Sequence, residues 1–435
     1  MPDRSDVHQH LIDQAEHLMG GSPGAFKLPP ELAIVIDHGA GSKVFDVDGN
    51  EYIDYLLGSG PMLIGHAHPR VVQAVQEQAA KGSTFYTLTR PAIELAERLV
   101  DAIPCAESVK YVSTGTEATF HAMRIARTYT GKPKILKFEG GFHGVNDYSM
   151  MSAMAPKQTE YPKPIPDSAG IPGQIEADVL VSRWNDTELT EQILRDFGDQ
   201  IAAVICEPLQ RALIPAPGFL QSLRELTEKY GVLLVFDEIV TGFRLAYGGA
   251  QEKYGVVPDL ATYGKAIAGG YPLAAVAGRR DIIDVTRSER RGVAPLAHLG
   301  GTMNGNPLAS SAGLATLDVL AEDGVYEKLY STAEQLKAGL HSIAESAGQQ
   351  IQIAGEGPVF QVFFTTEAPA DYPAVLKTDR PKGREFGLNL IREGLFLNPG
   401  EKFYISLAHD DEDVERTLKA AQAAMAQVVE PAHAP

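Results

Sequence analysis

An apolar, strand-like run ends in two adjacent carboxylates within LLVFDEIVTGFR, residues 233–244. A carboxylate at the end of a buried strand loses its hydration, so Asp237 and Glu238 need a cation or a strong hydrogen-bond donor nearby. Lys265 follows 28 residues after Asp237, in ATYGKAIAGGYP. About one strand–helix–strand unit fits between the two, so both side chains can face one crevice at the carboxyl edge of a parallel sheet.

The small residues around Lys265 predict that its amine is poorly hydrated. Gly264, Ala266 and the Gly269-Gly270 pair surround it, and desolvation makes a lysine amine nucleophilic. Such an amine can capture a carbonyl compound as a Schiff base. A lysine of this kind, a carboxylate for a ring nitrogen and donors for a phosphate are what pyridoxal phosphate needs. The sequence therefore predicts pyridoxal 5'-phosphate as the cofactor.

The loop STGTEATF, residues 113–120, offers a cradle for that phosphate. Thr114, Gly115 and Thr116 lie between a predicted strand and a predicted helix, where free amide groups can bind an anion. A Thr114 that simply caps the helix is an equally good interpretation. The glycine-rich loop LGGTMNGNPLAS adds Thr302 as a second phosphate clamp, which could reach across a dimer interface.

Two rings follow another predicted strand in FEGGFHG, residues 138–144. We expect Phe142 or His143 to lie on one face of the cofactor ring, with Ile239 closing the other face. Ordinary core packing of Phe142 is the competing interpretation.

The elements that must position these residues alternate between strands and helices. Near-continuous apolar runs such as QIAAVICEP and VLLVFDE are separated by helical patterns, which is typical of a parallel sheet covered on both faces. Residues 153–178 interrupt the pattern with five prolines. They predict a long loop, either a surface excursion or a lid over the site.

Composition narrows the classes of function. The 435 residues carry a formal charge of −18, which disfavours binding to nucleic acid and to anionic membranes. Cys105 and Cys206 are the only cysteines, and we expect both to be free thiols in a reducing compartment. The polar N-terminus resembles no targeting peptide, and no apolar run is long enough to cross a bilayer. We therefore expect a cytoplasmic protein.

Together these motifs resemble the class III pyridoxal-phosphate aminotransferases of fold type I. The resemblance extends from about residue 18 to 425 and includes STGTEA, FEGGFHG, EPLQ, VFDEIVTGFR, PDLATYGKAIAGG and GGTMNGNPLA. Within the family, AYGGAQEKYGVVPDL and DVDGNEYIDYLLGSGPMLIGHAHP are most similar to the glutamate-1-semialdehyde 2,1-aminomutase subgroup.

The resemblance implies an α/β fold with a large cofactor-binding domain at 76–324, built on a mostly parallel sheet flanked by helices. A smaller α+β domain would combine the segments 1–75 and 325–435. It also implies a homodimer with active sites at the interface, acting on small-molecule amine, amino acid and keto acid substrates.

The same resemblance implies a role for each site residue. Lys265 would form the Schiff base, Asp237 would pair with the ring nitrogen, and Phe142 would stack on the ring. Glu207, in the Glu-Pro signature, would support the surroundings of the cofactor. The phosphate contacts would come from Gly115 and Thr116 of the same subunit and Thr302 of the neighbouring one.

Departures from the aminomutase pattern concern the substrate. Gly24, in GSPGAFK, stands where the aminomutases have an arginine that helps to hold the substrate carboxylate, and Lys27 cannot replace its bidentate geometry. The loop at 153–178 also lacks their Gly-Ser-Gly stretch, whereas Glu401 matches an acidic residue of the subgroup. We therefore expect a ping-pong aminotransferase, with the aminomutase as the alternative.

Other interpretations have weaker support. A nucleotide-binding oxidoreductase or NTPase would need more than Gly264-Lys265, because Asp259 and Ala266 stand where a phosphate-binding loop requires glycine and Ser or Thr. His66 and His68 lack a third ligand, so we expect no metal site.

Three residues are candidates to line the substrate pocket: Tyr86, Trp184 and Glu401. A purely structural role is also open for each of them.

Overall fold

The computed structural model describes residues 4–18, 26 and 28–428, so Gly24 and Lys27 lie outside the described part. This part forms two compact units. One contains the described residues within Met1–His68, Glu327–Ala368 and Thr378–Pro435, and the other contains Pro69–Tyr326 and Pro369–Lys377. The domain limits set from the sequence, at 75 and 324, stay a prediction.

The unit containing Pro69–Tyr326, called the large unit below, is built on a seven-stranded sheet of order β4-β10-β9-β8-β7-β5-β6. All neighbouring pairs are parallel except those that β10 makes with β4 and β9. The predicted α/β fold with a mostly parallel sheet is confirmed. In chain order the strands are Ser108–Val112 (β4), Lys134–Phe138 (β5), Val179–Ser182 (β6), Ile201–Cys206 (β7), Leu233–Asp237 (β8), Leu260–Tyr263 (β9) and Ala274–Gly278 (β10).

Helices flank this sheet, and several of them begin at a side-chain cap. Asn306 caps α10 by accepting a hydrogen bond from the amide of Ala309, and Asp186 caps α6 through the amide of Leu189. The helices of the large unit are Pro69–Ala79 (α2), Arg90–Ala102 (α3), Gly115–Thr130 (α4), Gly173–Glu176 (α5), Thr187–Phe197 (α6), Phe219–Lys229 (α7), Gly249–Tyr254 (α8), Arg280–Ile283 (α9), Pro307–Leu320 (α10) and Tyr372–Val375 (α12).

The other unit contains two small sheets and a core of its own. β2 and β3 pair antiparallel and form a hairpin around Asp48. The strands are Ile36–Ala40 (β1), Lys43–Asp46 (β2), Glu51–Asp54 (β3), Ile351–Glu356 (β11), Val359–Phe364 (β12), Leu395–Phe396 (β13) and Phe403–Tyr404 (β14). The helices are Asp6–Gln14 (α1), most of Val325–Ser346 (α11), Arg380–Arg392 (α13) and Asp411–Ala426 (α14).

Several other expectations can be compared with the structure. Cys105 and Cys206 are both free, as predicted, and both are buried. Residues 153–178 are largely irregular, as predicted, although α5 lies inside them. Among the described residues, no helix combines the length and the apolar character that a membrane span requires.

Candidate active site

The predicted site residues follow the ends of five strands of the large sheet. β4 precedes Gly115, β5 precedes Phe142, β7 precedes Glu207, and β9 precedes Lys265, whereas Asp237 is the last residue of β8. β4 and β9 are both antiparallel to β10 and therefore run in the same direction as β5, β7 and β8. The carboxyl ends of all five strands lie at one edge of the sheet, where ligands bind in such folds.

Asp237 is only 3% exposed and is held by three groups. His143 Nδ1 lies 2.8 Å from its Oδ2, while the amide of Ile239 and the hydroxyl of Thr262 each donate to Oδ1 at 3.1 Å. His143 is itself buried, and its Nε2 has no hydrogen-bond partner among the described residues. The partner of the carboxylate within the chain is thus a histidine, a residue that sequence reasoning considered only as a ring for the cofactor.

The adjacent Glu238 has a different environment. Its carboxylate accepts hydrogen bonds from the Thr241 hydroxyl, from the amides of Ala250 and Gln251, and from the Gln251 side chain. Burial raises the pKa of Glu238 above its usual value, and these hydrogen bonds act in the opposite direction. Glu238 therefore ties the end of β8 to α8.

The loop that carries Phe142 and His143 is fixed through its backbone. Glu207 Oε1 accepts a hydrogen bond from the Phe142 amide at 2.8 Å, and the Gly140 amide donates to Ser152 O at 2.7 Å. The Phe142 ring remains partly exposed. Its stacking on a cofactor ring stays a prediction.

The predicted phosphate cradle forms the start of α4. Thr114 caps this helix in a capping box with Glu117, so its side chain has the structural role considered from the sequence. The amides of Gly115 and Thr116 belong to the first turn, where no intrahelical acceptor exists. The Thr116 hydroxyl accepts from the Val145 amide at 3.3 Å, which joins the cradle to the His143 loop.

Lys265 adopts a left-handed backbone conformation, with φ of 47°. This conformation is uncommon for a residue with a side chain and is concentrated at functional sites. The side chain is partly buried. Sequence patterns gave no indication of this strained backbone at the lysine.

Ile239 brings the lysine loop and the phosphate cradle together. A Cβ atom added to Gly264 would lie 3.1 Å from Ile239 Cδ1, and one added to Gly115 would lie 3.2 Å from the same atom. Both glycines therefore contact this side chain closely, two residues after Asp237. Small residues at both positions keep Ile239 in place beside the site.

The structure does not place every predicted residue at this edge of the sheet. Trp184 is 1% exposed and packs edge-on against Phe138 and Phe219, which are the contacts of a core residue. Tyr86 is 80% exposed, and Thr302 is also exposed. Glu401 belongs to the other unit and is partly exposed. The substrate roles of these side chains, and the contact of Thr302 with a phosphate, stay predictions.

Sequence reasoning missed two groups near the site. Thr262 holds Asp237, and a hydroxyl residue in the otherwise apolar LATY would have pointed to it. Lys137 and Glu139 are buried beside the end of β5, and the charges in KILKFEG, between apolar residues, were the available signal.

The residues present fit a phosphorylated pyridine. They supply a buried carboxylate with fixed orientation, first-turn amides for an anion, a partly exposed aromatic ring and a partly buried amine. Two glycines leave room beside Ile239. In chemical terms, the donor set can hold a phosphate at one end of the ring and a protonated nitrogen at the other.

Sequence comparisons identify related proteins along almost the whole chain. The model of the aminotransferase class-III family matches residues 28–423. A glutamate-1-semialdehyde 2,1-aminomutase of Desulforudis audaxviator is 42% identical over 426 residues, with 96% of each chain covered. A protein of the same name from Pelotomaculum thermopropionicum is 43% identical over 414 residues, with 93% of each chain covered.

Solved structures give the same family relationship. An omega-transaminase from Sphaerobacter thermophilus has a TM-score of 0.91 and 32% identity, covering 97% of this chain and 98% of that one. A glutamate-1-semialdehyde-aminomutase from Pseudomonas aeruginosa PAO1, in complex with PMP, has a TM-score of 0.87 and 26% identity, covering 98% and 96%.

Proposed function

Because this chain belongs to the class-III aminotransferase family and uses pyridoxal 5'-phosphate, we propose that it moves an amino group from an amine or amino acid to a keto acid or aldehyde. The observation that supports this proposal most directly is the common sheet edge shared by Lys265, Asp237 and the start of α4.

Each site residue has a defined task in this proposal. When bound, the cofactor supplies an electron sink for the substrate carbon that carries the nitrogen. Lys265 Nζ binds the cofactor and moves the proton at that carbon. Asp237 holds a proton on the ring nitrogen, and His143 and Thr262 keep its carboxylate oriented.

The remaining residues bind the cofactor and orient its ring. Phe142 and Ile239 would flank the ring of the cofactor, and the amides of Gly115 and Thr116 would bind its phosphate. Glu207 fixes the Phe142 amide and thereby the position of its ring. Thr302 contributes to the phosphate site of a second subunit.

A homodimer is part of this proposal. Four exposed apolar side chains of the large unit lie in residues 85–93 and at Met303, with exposed fractions of 52% for Phe85, 82% for Leu88, 48% for Ile93 and 53% for Met303. Leu88 and Ile93 line a cleft of about 810 Å³ that also includes Asn304 and Gly305. Exposed apolar side chains that lie close together favour a protein interface, and Thr302 lies next to Met303 in the chain.

Glutamate-1-semialdehyde 2,1-aminomutase is the second candidate, and the identity of 42% to proteins of that name favours it. Gly24, at the position of the carboxylate-binding arginine in the aminomutase pattern, argues for the aminotransferase. An aminomutase converts its substrate without an external acceptor.

One experiment separates the two candidates. The purified protein is given glutamate 1-semialdehyde alone, and in parallel a panel of amines and amino acids with pyruvate or 2-oxoglutarate. We expect turnover in the panel and little formation of 5-aminolevulinate. Rapid conversion of the semialdehyde, without turnover in the panel, would instead identify the aminomutase.

A further inference from the structure

Two charged side chains lie inside the protein, one in β5 and one directly after it. Lys137 is 1% exposed and Glu139, which follows the strand, is 0% exposed. Both sides of a buried parallel sheet are normally apolar. Buried charges are costly unless they are paired and hydrogen-bonded, so their partners indicate what they do.

Both side chains bind the irregular segment that follows the Phe142 loop. Lys137 Nζ donates to Ser149 O at 2.7 Å. The Glu139 carboxylate accepts from the Thr159 amide at 2.5 Å and also from the hydroxyls of Thr159 and Tyr161. The segment between Ser149 and Tyr161 is thus attached to β5 at two points.

Further contacts make this segment a single hydrogen-bonded body up to Asp167. The Asp167 carboxylate accepts from the amides of Ala153 and Met154 at 2.7 and 2.9 Å. The Ser152 amide donates to Ile165 O at 2.7 Å, and Ser152 O accepts from the Gly140 amide. The segment therefore contacts Gly140, in the loop that carries Phe142 and His143.

Lys137 also acts electrostatically on the site. Burial lowers its pKa to about 8, and the negative charges of Asp167, Glu207 and Asp237 act in the opposite direction. Glu207 holds the Phe142 amide, and Asp237 lies against His143. The two carboxylates that fix this loop therefore both favour the charged form of Lys137.

We propose that Lys137 and Glu139 are positioning residues, which hold the Ser149–Asp167 segment against β5 and through it orient the loop bearing Phe142 and His143. Taking a charged group out of water carries a large desolvation penalty, so stability alone does not account for the two charges. The inference rests on the proposed function only for the contact of that loop with the cofactor ring.

The test compares Lys137→Met, Glu139→Gln and the milder Tyr161→Phe with two matched controls. Lys157→Met and Glu160→Gln make the same chemical changes at exposed positions of the same segment. Hydrogen exchange of residues 149–167 is measured in the cofactor-free protein. Visible circular dichroism of the cofactor-bound protein reports how the ring is oriented, a property that a purely structural residue leaves unchanged.

We expect exchange within 149–167 to become at least about tenfold faster in the three variants, with smaller visible circular dichroism per bound cofactor, and no change in the controls. Unchanged exchange, or faster exchange with unaltered visible dichroism, would overturn the proposal. If Lys137→Met or Glu139→Gln fails to fold, the exchange and dichroism of Tyr161→Phe test the proposal. A wild-type protein that binds no cofactor would contradict the proposed function, whereas the exchange data would still test the attachment.

Discussion

His143 Nδ1 lies 2.8 Å from Asp237 Oδ2, and both side chains are almost completely buried. The other carboxylate oxygen is held by Thr262 and by the backbone of Ile239. The orientation of Asp237 is therefore set by the protein itself. A carboxylate fixed in this way can act on a ring nitrogen without reorganising when the ligand arrives.

Asp237→Asn preserves the shape of this arrangement and removes its charge. We expect kcat/KM for amino transfer to fall about 10³-fold, which corresponds to about 4 kcal/mol, because an amide cannot hold the ring nitrogen protonated. Steady-state kinetics with one donor and one acceptor give the value. The matched control is the neighbouring Glu238→Gln, whose partners lie in α8 and at Thr241. It should lower the melting temperature and leave kcat/KM within about threefold; equal kinetic losses in both variants would refute a specific role for Asp237.

Gly264→Ala tests the close contact at Ile239. The backbone of Gly264 is extended and accepts any residue, so the effect of the new methyl group is purely steric, at 3.1 Å from Ile239 Cδ1. Displacing a packed side chain costs about 1 kcal/mol or more, so we expect roughly fivefold weaker cofactor binding in a titration. Ile239→Val removes Cδ1. In this background Gly264→Ala should weaken cofactor binding less than it does in the wild-type protein. Affinity in Gly264→Ala equal to that of the wild type would show that Ile239 does not shape the site.

Leu88→Glu tests the dimer. The side chain is 82% exposed, and a buried unpaired carboxylate at an interface is strongly unfavourable. We expect light scattering to show a monomer and cofactor binding to weaken, since Thr302 of a second subunit no longer reaches the phosphate. Val257→Glu places the same charge on another exposed apolar residue of the large unit and should leave the mass unchanged. A monomeric wild-type protein would contradict the proposal at once.

His409 makes the stability of the other unit depend on pH. It is fully buried, and burial lowers its pKa to about 4 from the ordinary 6.5. Between these values the unfolded chain binds the additional proton, so the free energy of unfolding rises with pH across this window, by up to about 3 kcal/mol. The acids Asp54, Asp410 and Asp413 act on the ring in the opposite direction to burial.

Urea unfolding at several pH values between 4.5 and 7.5 measures this dependence. His409→Asn retains an acceptor near Nδ1 for the Ser406 amide and should flatten the rise, while the exposed His341→Asn should not. An equal slope in wild type and His409→Asn would exclude this histidine as its source.

The sequence predicted the strands whose ends carry the chemistry, because buried parallel strands such as β7 and β8 are apolar runs of distinctive length. It did not predict β10, whose residues AAVAG are small and carry no strong strand preference. Its antiparallel pairing with β4 and β9 joins parts of the chain far apart in sequence, and local patterns do not report such contacts.

The sequence also predicted part of the candidate site. Lys265, Asp237 and the α4 start were identified from the chemistry that their residue types permit. Trp184 was considered both for the pocket and for a structural role, and its ring packs against Phe138 and Phe219. Local patterns could not decide between these roles, because they do not determine which way a side chain after a strand points. Pro369–Lys377 groups with the large unit through contacts between parts of the chain far apart in sequence, which local patterns do not report.

The most direct measurement is the site of covalent attachment of the cofactor. The protein loaded with pyridoxal 5'-phosphate is reduced with borohydride, digested and examined by mass spectrometry, with Lys265→Ala treated in the same way. We predict the cofactor-derived mass on the peptide containing Lys265, and none in the variant. A labelled peptide containing another lysine, or full turnover by Lys265→Ala, would contradict the account.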